Sequence, residues 1–162
     1  MRTLTNDSTR GSTLSAAWLQ IVLMTAMTLP MLVLYAISTL GPFLVHDLNI
    51  RPGVLGYFTL GSFGLAAVLS LWAGPFVDRF GSRSSLIVLF SVVALAFTLI
   101  ATIPGFSGLV AAVAVCGIAQ ALANPVTNLL IAQQVPPEKK AFVVGLKQSG
   151  VQVAALFAGL VL

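Results

Sequence analysis

From Ser84 to Pro137 the chain carries no charged residue. That run is far longer than the ~20 residues a helix needs to cross a bilayer, and Pro104-Gly105 followed by Ser107-Gly108 breaks it near its middle. It reads as two membrane spans, at about 85–102 and 107–133, joined by a short hairpin. A second charge-free run, Gly11 to Val45, holds another span at about 16–40. Pro30 lies inside it and predicts a kink, which a membrane helix tolerates when neighbours satisfy the freed carbonyl. Composition agrees: 58% of the residues are hydrophobic and 7% charged, against roughly 25% charged in soluble domains, with a mean hydropathy of +1.04. The expected fold class is an all-α integral membrane bundle.

Two further spans fall at about 53–73 and 141–162, giving five. The first of these carries Gly53, Gly56, Gly61 and Gly64, small residues expected to let a neighbouring helix approach. Residues 1–15 form a polar tail with Arg2, Asp7 and Arg10, without the apolar core and cleavage site of a secretory signal. Residues 41–52, with His46, Asp47 and Arg51, form the first outer loop. With the N-terminus cytoplasmic, Arg2, Arg10, Arg79, Arg83, Lys139, Lys140 and Lys147 fall inside and only Arg51 outside, the asymmetry of the positive-inside rule. The expected location is a plasma membrane, and brevity and short loops point to a bacterial inner membrane.

Several function classes are excluded. Basic residues are scattered rather than gathered on one face, which argues against nucleic acid. His46 is the only histidine, so a metal site lacks ligands; it reads as interfacial, or as a pH-sensing residue at a pathway mouth. Cys116 cannot form an internal disulfide and reads as a helix-packing residue. No nucleophile arrangement or phosphate-binding glycine run is present, so neither an enzyme nor a cofactor is expected.

Between the second and third spans lies Gly74-Pro-Phe-Val-Asp78-Arg79-Phe80-Gly81-Ser82-Arg83-Ser84. It reads as a tight loop at the water boundary, with Gly74 permitting close helix approach and Gly81 supplying turn geometry. Asp78 is either a solvated interfacial partner of the arginines or a carboxylate facing the positive end of another helix. The spacing Gly74, Asp78, Arg79, Gly81, Arg83 resembles the loop signature of major facilitator superfamily transporters. The resemblance implies a helical bundle corresponding to about five helices of a six-helix N-terminal half. It also implies that Asp78, Arg79 and Arg83 help hold two halves closed on the cytoplasmic side. Proton-coupled antiporters of that superfamily carry an R-x-x-Q-G pattern on the fourth helix; here Gly117 stands at the arginine position ahead of Gln120, which removes that basis for drug antiport.

Polar residues inside the spans mark a candidate substrate pathway. Gln120, Asn124 and Asn128 recur every four residues and are expected on one helix face, as cavity lining or as interhelical bonds. Tyr35 stands beyond the kink of the first span. Lys147 lies about six residues, or roughly 9 Å, inside a helix expected to start near Ala141. It either snorkels to the interface or presents a fixed cation to an anionic substrate. Lys147-Gln148-Ser149-Gly150 is similar to a fifth-helix segment of bacterial anion and organic-acid porters of the superfamily. Gly150, Ala154 and Ala158 form a packing edge.

The expectation is a secondary carrier, working by alternating access, for a small polar or anionic solute, with or without a coupling ion. Its partners are the lipid bilayer and a missing C-terminal half or partner helices, since the apolar end of the chain reads as that of a fragment. The competing expectation is a structural remnant that moves nothing, or a half-transporter that assembles with a second membrane protein.

Overall fold

The computed structural model describes the backbone of residues 8–161 and the side chains of residues 16–160. Its elements are α1 (Ser8–Thr39), α2 (Gly41–Asp47), α3 (Gly53–Thr102), α4 (Phe106–Gln134) and α5 (Pro137–Val161). Among the described residues there is no strand. All but α2 are long and apolar enough to cross a membrane. With 50 residues, α3 would run about 75 Å if straight, more than twice the ~30 Å hydrocarbon core. It therefore accounts for two crossings, and the fold is an all-α membrane bundle.

The expected loop over 74–84 is a turn made by one residue. Helix continues to Phe80 and resumes at Ser82, and Gly81 alone breaks it, at φ 77° and ψ 167°. That conformation is essentially reserved for glycine. The Ser85 hydroxyl donates to Gly81 O at 2.8 Å, the i−4 back-bond of a helical serine at the start of the second arm. The two arms double back on each other: Phe76 and Val88 line one groove with Ile118 and Leu122 of α4, while Phe58 and Ala96 share a core cluster with Val113 and Cys116.

Other boundaries also move. The first helix begins at Ser8, ahead of its apolar span Ala16–Thr39, because a helix can run on past the bilayer into water. Residues 1–7 of the expected tail lie outside the described residues. Most of the first outer loop is the short helix α2, started by Pro42 in its first turn. Likewise α5 begins at Pro137, with Glu138 in the first turn, rather than near Ala141.

Lipid tails are as apolar as leucine, so close packing and polar bonds hold such helices together. Two glycines let one helix seat on the backbone of another. A Cβ on Gly117 would stand 2.9 Å from Ser62 O and 3.2 Å from Leu65 Cβ, so α4 seats directly on the first arm of α3. A Cβ on Gly150 would stand 2.7 Å from Met24 O and 2.9 Å from Thr28 Oγ1. There Thr28 Oγ1 lies 2.8 Å from both Met24 O and Gly150 O and shares its proton between them. Ala154 and Ala158 extend the same buried edge of α5. The expectation for the other glycines is corrected: Gly53, Gly56, Gly61, Gly64 and Gly74 have nothing within 4 Å of a would-be Cβ, because the buried face of α3 is carried by Phe58, Ser62, Ala73 and Val77.

Candidate functional site

The most constrained polar group in the bundle is the Lys147 ammonium. From Pro137 it stands about 15 Å along α5, deeper than the roughly 9 Å expected from a start near Ala141. Its residue is only 3% exposed. The snorkelling alternative is therefore corrected, because the side chain turns into the bundle and finds its partners on α4. Lys147 Nζ donates to Asn128 Oδ1 at 2.7 Å, to Thr127 Oγ1 at 2.9 Å and, more weakly, to Asn124 Oδ1 at 3.4 Å. Three neutral oxygens around one nitrogen give the three hydrogens of an ammonium an acceptor each. Among the described residues no carboxylate pairs with it.

Thr127 fits this role because its hydroxyl proton is already committed. Thr127 Oγ1 donates to Ala123 O at 2.6 Å, the usual i−4 bond of a helical threonine, which leaves a lone pair for Lys147. Pro125, two residues before Thr127, lies inside the continuous α4 and supplies no N–H to the helix ladder. Neither residue stood out in the sequence. A threonine in a helix ordinarily bonds only its own backbone, and the usable signal was its spacing beside Asn124 and Asn128.

The expected polar face of α4 is split. Asn124 and Asn128 are exposed and flank Lys147, whereas Gln120 is 8% exposed and points towards α3. Successive i+4 steps rotate by about 40°, and two of them carry Gln120 into a different interface. There Gln120 Nε2 donates to Ser62 Oγ at 3.0 Å, while Gln120 Oε1 has no protein partner. The Cys116 thiol, fully buried, donates to Pro30 O at 3.0 Å and ties α4 to the proline segment of α1. Tyr35 is half-buried and has no recorded side-chain bond to the lysine cluster.

Around the Gly81 turn, Asp78, Arg79 and Arg83 are exposed. Among the described residues the only contact of a basic side chain with an acidic one is His46 Nδ1 to Asp47 Oδ1, at 3.5 Å on the surface, so Asp78 takes neither arginine as a partner. No group of three metal-binding side chains occurs among the described residues. The start of α1 and the α4–α5 turn lie at one end of the bundle, where Ala16, Gln20, Gln134 and Lys139 line a common cavity of about 680 Å³.

The cluster gathers a buried lysine, neutral oxygens and two exposed amides. The sequence model of the Major Facilitator Superfamily matches residues 18–162. No curated protein and no solved structure matches the chain.

Proposed function

We propose, from the premise that the chain belongs to the Major Facilitator Superfamily, a family of membrane transporters, that it forms the solute-binding bundle of a secondary carrier for a small polar or anionic solute. The observation that carries this reading is Lys147, a cation deep in a lipid-crossing bundle with only neutral oxygens around it. A lysine at mid-bilayer costs about 3 kcal/mol on insertion scales. Its retention beside exposed Asn124 and Asn128 is accounted for if that face of α4 meets water and an anionic solute.

The orientation that goes with this proposal has the N-terminus and the Gly81 turn in the cytoplasm of a bacterial inner membrane. Alternating access takes two bundles rocking about a central site. Asp78, exposed and unpaired among the described residues, is available to a companion bundle. Those same residues favour a second reading, a structural membrane subunit that assembles through this turn without moving solute.

Uptake by proteoliposomes carrying the chain assembled with its companion bundle, against protein-free vesicles, separates the two. A panel of small anions, neutral polar solutes and cations is the probe. Accumulation of anions or neutral polar solutes supports the carrier. Accumulation of cations alone, or of nothing, rejects it, and the latter leaves the structural subunit.

A further inference from the structure

We infer that Lys147 orients the amides of Asn124 and Asn128 so that both present N–H donors to a monovalent oxyanion of the monocarboxylate class on the exposed side of α4. This rests on the anion-pathway reading above. An ammonium has three hydrogens and no acceptor; Asn128 Oδ1 and Thr127 Oγ1 take two of them at 2.7 and 2.9 Å, and Asn124 Oδ1 is a weaker partner at 3.4 Å. Lys147 therefore offers a ligand chiefly its charge. It also fixes the sense of each amide, because turning either one over would set an NH2 group against the ammonium. The amide nitrogens then face away from Lys147, and both asparagines are exposed. They stand one helical turn apart, with roughly 5–6 Å between Cβ atoms, a gap that a carboxylate bridges by taking one N–H on each oxygen.

Charge balance sets the valence. Among the described residues, the other Lys, Arg, Asp and Glu side chains lie at helix ends, in the outer segment or around the Gly81 turn. Lys147 alone stands well inside a span. A monoanion brings this cluster to neutrality, whereas a dianion leaves one negative charge with no counter-charge on the spanning part of this bundle.

The test uses the chain in lipid vesicles with Cys116→Ala and a reporter thiol from Ala132→Cys, an exposed position one turn from Asn128 on α4. The probes are a sulfonate-bearing and a trimethylammonium-bearing thiol reagent, competed with acetate, lactate or succinate near neutral pH. The sulfonate reagent is expected to react about tenfold faster, a preference that Lys147→Met abolishes. Acetate or lactate, by neutralising the site, should erase the preference at about one-tenth the concentration of succinate. Asn128→Leu should raise that concentration about tenfold while keeping the reagent preference, and Asn124→Leu provides a second variant should the first fail to fold.

Succinate acting at an equal or lower concentration, monocarboxylates without effect, or asparagine variants that leave the concentration unchanged overturn this inference and leave the anion pathway standing. A preference for the ammonium reagent, or no labelling, overturns both.

Discussion

Lys147 Nζ lies 2.7 Å from Asn128 Oδ1, and that bond ties α5 to α4 where the two helices otherwise scarcely touch. Hydrogen bonds to a charged group contribute about 1.5–3 kcal/mol. Asn128→Leu leaves the ammonium two acceptors, one of them at 3.4 Å, and is expected to cost about 2 kcal/mol. A thermal melt of the purified protein followed by size-exclusion fluorescence reads the loss; an unshifted midpoint contradicts it.

The α1–α5 seam depends on the absence of one methyl group. Adding it at Gly150 sets a carbon 2.7 Å from Met24 O, a backbone atom that cannot swing aside. Gly150→Ala should destabilise the bundle by about 1–3 kcal/mol. The same change at Gly145, which lies inside α5 with nothing within 4 Å, should instead stabilise by about 0.4–1 kcal/mol in the same melt.

Position 117 offers a separate check on packing. Gly117→Arg recreates the arginine of the antiporter pattern, but its Cβ would meet Ser62 O at 2.9 Å and Leu65 Cβ at 3.2 Å. The expected outcome is loss of folded protein, not gain of proton-driven antiport. Well-folded, drug-exporting variant protein would contradict the packing account.

Asp78→Asn separates latch from scaffold. The carboxylate is exposed and unpaired among the described residues, so its removal should change stability by no more than about 0.5 kcal/mol. If it closes against a companion bundle, uptake falls severalfold all the same. Unchanged transport rejects the latch.

The architecture was legible in the sequence because bilayer solubility demands long charge-free runs, and Ser84–Pro137 can be divided only at Pro104-Gly105. The geometry of contacts was less so. Gly81 and Gly74 look alike in a turn motif, yet only the φ of 77° at Gly81 requires a glycine, and Gly74 faces open space. In the same way, Gly117 marks the close approach to α3 while the four-glycine series of the first arm does not. Helical spacing put Lys147 and the α4 amides within consideration, but it did not say that Gln120 would leave the group for Ser62 or that Thr127 would join it. Those outcomes depend on which neighbour each face meets, and one sequence does not encode that legibly.

The most direct test of the account replaces the Lys147 charge in the transport assay. Lys147→Met keeps an apolar stem of similar length and removes the cation, and Lys147→Arg keeps the cation with altered geometry. The prediction is that Lys147→Met lowers uptake of the anionic solute at least about tenfold, with Lys147→Arg retaining part of it and both variants reaching the membrane. Anion uptake by Lys147→Met equal to that of the unaltered protein would contradict the central claim.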